Sequence, residues 1–111
     1  MRTELHIRGL LTKKGVRIFK DEAKQDLSER GYGTPAGKAI VLGFHEALYL
    51  LDKGMLKVES SKHKEISFRD LLKEYEYADE NAWAKYLVYR DLRNRGYVVR
   101  EGFGKGIDFR L

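Results

Sequence analysis

The sequence predicts an α+β protein: a small N-terminal domain of mixed strands and three helices, followed by one further helix and a β-hairpin. Near the start, Leu5 and Ile7 alternate with His6 and Arg8, and this period of two indicates a half-buried strand. Further along, Phe44 recurs with Leu48 and Leu51 at helical spacing, which indicates a helix with a core-facing stripe. Because both periods occur within one short stretch, we expect strands and helices to share a single core there.

The elements of the N-terminal domain follow from local signals. Alternation predicts strands, apolar spacing predicts helices, and glycines mark the helix ends. Ser67 and Asp70 fit a capping box at the start of the third helix. The predicted elements in chain order are strands around Leu5–Ile7 and Val16–Ile18, a helix from about Asp21 to Arg30, an apolar stretch at 39–42, a helix from Phe44 towards Gly54, a strand at 56–58, a polar hairpin tip at 60–64, and a helix from Ser67 to about Tyr75.

A second structural unit is predicted after the acidic stretch at 76–80, so the expected domains are 1–78 and 79–111. A helix from about Asn81 to Arg95 opens the second unit and ends at Gly96. Its apolar residues occupy more than one face, so we expect it to pack on two sides. Strands at 97–99 and 107–111 follow, joined by a turn at 102–106. A helix and two short strands bury little surface, so this unit is expected to be incomplete.

Composition excludes several classes of protein. The chain has 111 residues, of which 42% are hydrophobic and 35% charged, as in a globular protein. It has no cysteine, which excludes disulfides, thiolate zinc sites and thiol nucleophiles. No apolar run is long enough to cross a bilayer, and residues 1–5 lack the core of a secretory signal. We therefore expect an intracellular, cytoplasmic protein.

Positive charge is concentrated at the end of the chain. Residues 1–80 contain 15 Lys/Arg and 14 Asp/Glu, whereas residues 81–111 contain 7 Lys/Arg and 3 Asp/Glu. Clustered cations attract polyanions, so nucleic acid is the first partner to consider. An ordinary solvated surface, or cations that stabilise a helix C-terminus, would give the same pattern. The candidate RNA contacts are Arg90, Arg93, Arg95, Arg100, Lys105 and Arg110.

Other chemistries have weaker support. The three histidines, His6, His45 and His63, lack nearby partners in sequence, and we place His45 on the polar flank of the second helix. Carboxylates that could imitate a metal-dependent nuclease are Asp91, Glu101 and Asp108, but nothing in the sequence fixes their geometry. The glycines of 102–106 are typical of phosphate loops, yet such loops open a helix and this one leads into a strand. The sequence therefore predicts neither a metal nor a cofactor.

A resemblance to a known family lies in the run Lys85–Val99, with Tyr89-Arg90-Asp91-Leu92-Arg93 at its centre and Gly96-Tyr97 near its end. This run resembles the segment that opens the catalytic domain of archaeal-type tRNA-splicing endonucleases, and Gly102 to Leu111 resembles the next segment. Upstream, Glu46-Ala47-Leu48-Tyr49-Leu50 with Gly54 is similar to the family's N-terminal domain, as is Gly9-Leu10-Leu11. The resemblance implies that residues 79–111 begin a restriction-endonuclease-like α/β nuclease domain.

The resemblance also implies an activity. Family members are metal-independent RNA lyases that cut precursor tRNA at bulge–helix–bulge junctions, leave a 2′,3′-cyclic phosphate and a 5′-hydroxyl, and act as oligomers. They use a Tyr, a His and a Lys, which suit proton transfer and charge stabilisation. The tyrosine comes directly after the strand that ends here at Leu111, and the other two lie further on. We therefore expect no catalytic residue in this chain, and no cleavage by it alone. A structural subunit completed by a partner chain and a stand-alone basic RNA-binding module are the alternatives.

Overall fold

A mixed six-stranded sheet forms the base of the molecule. The computed structural model describes residues 7–19, 21–101 and 109–110. The strands lie in the order β3-β4-β2-β1-β5-β6, and all neighbours are antiparallel except β1 and β5, which are parallel. A separate pair, β7 and β8, is antiparallel. The elements are β1 Ile7–Thr12, β2 Gly15–Ile18, α1 Asp21–Glu29, β3 Thr34–Ala36, β4 Ala39–Leu42, α2 Phe44–Asp52, β5 Leu56–Glu59, β6 Glu65–Ile66, α3 Phe68–Ala78, α4 Ala82–Asn94, β7 Arg100–Glu101 and β8 Phe109–Arg110.

The two faces of the sheet differ in chemistry because successive side chains of a strand point to opposite sides. On the inner face the strands contribute apolar residues such as Val16, Ile18 and Leu42, all fully buried. Register places Arg17 beside Leu10 and Val41 on the outer face. Gly9 lies on the inner face, where an added Cβ would approach Val16 to 2.2 Å, so only glycine fits there. The alternation predicted from the sequence therefore fixes which face carries the core.

Helix α2 lies at the centre of the helical layer. It contacts β2, β4 and β5 on one side and α3 and α4 on the other, so residues 44–50 are buried all round. Ser67 is the N-cap residue of helix α3, and its hydroxyl accepts a hydrogen bond from the Asp70 amide at 3.2 Å. Helix α4 packs on both α2 and α3. These contacts confirm the α+β class predicted from the sequence.

Three local predictions need correction. Residues 97–99 do not form a strand, and pairing begins only at Arg100. Residues Thr34–Ala36 form an edge strand that was not predicted, because proline between Gly33 and Gly37 indicates a loop; an edge strand tolerates proline. Helix α3 continues to Ala78, past its predicted end at Tyr75. The predicted turn at 102–106 lies outside the described residues.

Candidate RNA-facing helix and the cluster that fastens it

Helix α4 is anchored to the N-terminal elements by two buried tyrosines. Tyr86 is 1% exposed and meets the Phe68 ring of α3 edge-on at 5.4 Å between centroids. Tyr89 is fully buried and meets Tyr49 of α2 edge-on at 5.8 Å. Edge-to-face pairs add to the stability that burial of aromatic surface provides. Helices α2 and α3 thus cover both tyrosines of α4.

The other side of α4 is more open. Trp83 is 46% exposed and Val88 is 37% exposed, and the Trp83 ring lies at the edge of the aromatic cluster, 5.8 Å from the Tyr86 ring between centroids. Beyond the helix, Tyr97 and Val98 are also about half-exposed, at 47% and 48%. Within the described residues α4 packs on α2 and on α3, and packing on a further side stays a prediction.

Arg93 fastens the end of α4 to the end of α1. One of its terminal nitrogens donates to the Arg30 carbonyl at 2.8 Å and the other to the Tyr97 carbonyl at 3.1 Å. Its guanidinium carbon lies 3.8 Å from the centroid of the Tyr32 ring, a close cation–π contact. A second link is the Tyr49 hydroxyl, which donates to Asn94 Oδ1 at 2.8 Å. The C-terminal end of α4 is therefore held by side chains and backbone from both parts of the chain.

Glu46 organises the neighbouring backbone. Its carboxylate is buried, with Oε1 accepting from the Gly43 amide at 2.9 Å and Oε2 accepting from the Gly33 amide at 2.8 Å. Burial raises the pKa of Tyr89, and the Glu46 charge raises it further, against a lowering by Arg93. Burial likewise raises the pKa of Tyr32, with Arg93 opposing. Both phenols therefore stay protonated at neutral pH.

His45 lies in the core, and its predicted position on a polar flank is wrong. It is 3% exposed, and its ring meets Tyr89 at 4.7 Å between centroids. Burial lowers its pKa to about 4, and the positive charge of Lys85 contributes. Helix α4 docks on the side of α2 that bears His45, which the spacing within α2 alone does not reveal. His63 is exposed in a turn with φ of 63°, and His6 lies outside the described residues.

Tyr89, His45 and Lys85 match the residue types of the catalytic trio that the family resemblance implies, but their surroundings exclude that role. Tyr89 and His45 are buried, whereas a general base or acid must come within about 3 Å of the reacting group. Lys85 is paired with Asp79. Hydrogen bonds from Lys85 and from the Asn81 amide hold the pKa of Asp79 below its usual range, although burial acts in the opposite direction. Tyr89 and His45 therefore belong to the core, and Lys85 to a partly exposed ion pair beside it.

The predicted RNA contacts differ in their availability. Arg90 is exposed and lies 5.9 Å from the Tyr86 ring centroid, whereas Arg95 is exposed and pairs with Asp91 at 3.2 Å. Arg93 is the exception, since both of its terminal nitrogens donate to carbonyls. The backbones of Arg100 and Arg110 pair across β7 and β8, but their side chains and all of Lys105 lie outside the described residues. RNA contact by this set stays a prediction.

The described residues do not support the hypothesis of a metal-dependent nuclease site at Asp91, Glu101 and Asp108. Asp91 is engaged with Arg95 on the exposed surface of α4. The side chain of Glu101 and all of Asp108 lie outside the described residues. Within residues 7–19, 21–101 and 109–110, no three His, Asp or Glu side chains are grouped to hold a metal ion. In the same part of the chain, no helix is long and apolar enough to cross a membrane.

Sequence reasoning missed the cluster around Glu46 and Arg93. One signal was available, since Gly43 and Glu46 have the spacing at which a helix's third residue accepts from the preceding cap amide. The hydrogen bond from Arg93 to the Arg30 carbonyl joins residues 63 positions apart, and no local sequence pattern indicates it. The cluster is thus a product of tertiary packing.

Comparison with known proteins assigns the two parts of this fold. The model of the tRNA intron endonuclease N-terminal domain matches residues 7–72, and that of the tRNA intron endonuclease catalytic C-terminal domain matches residues 82–111. These matches follow each other in chain order, and the second begins at residue 82, where α4 begins. The chain belongs to the tRNA intron endonuclease family.

Individual relatives agree with this assignment. The chain is 38% identical over 101 residues to a tRNA-splicing endonuclease of Methanococcus vannielii, a match that covers 91% of this chain and 57% of the relative. It is 40% identical over 100 residues to one of Pyrococcus horikoshii, with 87% and 58% covered. One of Hyperthermus butylicus is 36% identical over 114 residues, with 93% and 63% covered. The chain thus spans little more than half the length of these relatives.

Proposed function

We propose that this chain is part of a tRNA-splicing endonuclease that removes introns from precursor tRNA at bulge–helix–bulge sites. The observation that carries the proposal is the ordered match to both domain models of the family, at 7–72 and 82–111. The relatives named tRNA-splicing endonuclease support the same substrate class. The cytoplasm is the proposed location, in line with the absence of cysteine.

The proposed contribution of this chain is scaffold and RNA-facing surface, with domains at 1–78 and 79–111. The Tyr, His and Lys of family catalysis are proposed to lie outside these 111 residues. The buried state of Tyr89 and His45 supports this, because neither can reach a phosphodiester. Arg90 and Arg95 are exposed and remain available to phosphates, whereas Arg93 is a positioning residue that orients the end of α4.

Cleavage assays test this proposal. A precursor tRNA with one bulge–helix–bulge intron is incubated with the purified chain, with the part of the Pyrococcus horikoshii enzyme that follows the matched region, and with a fusion of the two. We expect cutting at both junctions, with 2′,3′-cyclic phosphate ends, by the fusion alone. Cleavage by the chain alone refutes the scaffold role, and a folded fusion that leaves the RNA intact refutes the family activity for this chain.

A second candidate is a non-catalytic subunit whose missing strands come from another chain. The partly exposed Trp83 and Val88 of α4 favour it, since a partner chain would cover this apolar surface. Mixing the chain with the separate Pyrococcus horikoshii portion distinguishes the two. Assembly without covalent linkage, with quenching or shift of Trp83 fluorescence and restored cleavage, supports the subunit hypothesis. The absence of a complex in sedimentation argues against it.

A further inference from the structure

We propose that the outer face of the six-stranded sheet is a second RNA-contacting surface, which grips the phosphate backbone of the precursor away from helix α4. This inference rests on the proposed function, because it takes precursor RNA as the occupant. The surface, called the basic sheet face from here on, consists of Arg8, Arg17, Lys57 and the adjacent Phe19. None of these residues belongs to the candidate set derived from the charge at the end of the chain.

Strand register brings the three cations together. Arg8 of β1 is paired directly with Lys57 of β5, and both side chains are exposed. Arg17 of β2 is paired with Leu10, which follows Arg8 by two residues on the same face of β1. Neighbouring strands are about 4.8 Å apart and two residues along a strand span about 6.6 Å, so the backbones of the three cations lie within roughly 12 Å of one another. Residues distant in sequence therefore meet on one face, where the positive charge is densest at the Arg8–Lys57 end, away from Glu59 and Glu65.

The Arg8–Lys57 pair carries an unfavourable interaction that an anion relieves. Like charges directly opposite each other on neighbouring strands destabilise a sheet. The acidic residues of this face, Glu59 and Glu65, are paired with each other towards the β6 edge, and Glu59 lies opposite Leu10 rather than opposite Arg8. A phosphate placed between Arg8 and Lys57 converts this repulsion into two attractions. At the Arg8–Lys57 end of the face, charge complementarity thus favours an anionic occupant, whereas the Glu59–Glu65 end does not.

An exposed aromatic ring lies beside the cations. Phe19 is 56% exposed, and the guanidinium carbon of Arg17 lies 5.6 Å from its ring centroid. Unpaired RNA bases stack on aromatic rings and on guanidinium planes, whereas the phosphates between them pair with Lys and Arg. A protein partner with an acidic surface would use the cations but not the ring. The combination favours RNA with unpaired nucleotides, such as a bulge or an intron loop.

The apolar helix layer does not compete for this face. The fully buried Val16, Ile18 and Val58 point to the opposite side of the sheet, where α2 packs. A cavity of about 210 Å³ opens at the Arg8–Lys57 end and is lined by those two residues together with Ile7, Gly54, Met55 and Leu56. This concavity lies beside the Arg8–Lys57 pair, at the start of β1 and β5.

Salt-dependent binding of RNA tests the proposal. A fluorescent bulge–helix–bulge RNA is titrated with the 111-residue chain between 50 and 200 mM salt, and circular dichroism verifies that each variant is folded. The sheet variant carries R8Q, R17Q and K57Q. The matched control removes the same charge elsewhere, from exposed residues of the β5–β6 turn and α3, with K62Q, R69Q and K73Q.

Three phosphate contacts contribute a slope of about −2.7 to log K against log salt, which is a roughly 40-fold change in affinity across this range. We expect the sheet variant to lose that dependence and the control to retain it. F19A is expected to weaken binding of the bulged RNA several-fold while leaving a fully paired duplex unaffected. Equal losses in the sheet variant and the control, or an unchanged sheet variant, overturn the proposal. So does a wild-type chain that binds an acidic peptide tighter than RNA.

The two proposals fail separately. If the fusion enzyme cleaves precursor tRNA with unchanged KM when it carries R8Q, R17Q and K57Q, the basic sheet face is refuted and the endonuclease assignment stands. If the folded fusion does not cleave, the assignment fails whatever the sheet variant does to binding. A higher KM with unchanged kcat in the sheet variant supports both.

Discussion

Lowering the pH from 7 to 5 should destabilise this protein through His45. Its pKa is lowered to about 4 by burial and by the charge of Lys85, whereas an unfolded histidine has a pKa of about 6.5. Between these values the unfolded chain binds one more proton than the folded chain, so stability rises with pH there. The stability that neutral His45 maintains is complete above pH 6.5 and is lost progressively as the pH falls towards 4.

The magnitude follows from the two pKa values. Linkage gives a loss of about 2 kcal/mol between pH 7 and pH 5 for this one group. Urea unfolding followed by circular dichroism at pH 7, 6 and 5 measures it. In the His45→Gln variant, which cannot be protonated, this part of the pH dependence should disappear. A wild-type stability that is flat between pH 7 and 5, or an equally steep decline in the variant, would refute the reasoning.

Three further predictions concern how α4 is held, each measured as the free energy of unfolding in urea. Arg93→Ala removes charged hydrogen bonds to two carbonyls and should cost about 2–3 kcal/mol, whereas Arg95→Ala breaks only an exposed ion pair and should cost under about 0.5 kcal/mol. Tyr86→Ala should cost about 3–4 kcal/mol because the ring is buried, and clearly more than Trp83→Ala. Gly31→Ala should cost at least about 1 kcal/mol, since φ is +81°.

The glycine prediction has a matched control. An alanine Cβ at Gly31 would lie 2.5 Å from Val98 Cγ1, whereas at Gly37, with φ of +62°, nothing lies within 4 Å. Gly37→Ala therefore measures the backbone penalty alone, and the excess at Gly31 measures the contact with Val98. Equal losses of unfolding free energy in Gly31→Ala and Gly37→Ala would mean that the Val98 side chain shifts without cost. For the arginines, equal losses in the two variants would contradict the fastening role of Arg93.

Local signals were sufficient for most elements of the fold. The alternation around Val16 and Ile18 and the glycines that end helices are short-range features, and the predicted hairpins and helices follow them. Errors arose where tertiary contacts override local preference. Residues 97–99 are β-branched and aromatic, which favours a strand. The Tyr97 carbonyl instead accepts from Arg93 and Val98 packs beside Gly31, so this segment does not pair with another strand.

The candidate site was harder to anticipate than the fold. Positive charge at the end of the chain was visible by counting, yet counting does not distinguish the exposed Arg90 from Arg93, whose donors are occupied. His45 is a similar case: its position within α2 predicts a polar, exposed side chain, but α4, some 40 positions later in the chain, buries it. Pairing of Arg8 with Lys57 likewise depends on a strand register that crosses the whole N-terminal domain.

The parallel pairing of β1 with β5 has a consequence for how the chain is made. β1 is an interior strand, paired with β2 on one side and with β5 on the other. The strand β5 is complete only when residue 59 has left the ribosome. Until then the hairpin of β1 and β2 has an open hydrogen-bonding edge that can join strands of other nascent chains. Long-range parallel pairing also slows folding, because the intervening chain must first be ordered. Emergence of β5 is therefore the step that closes this edge of the β1–β2 hairpin to pairing with other chains.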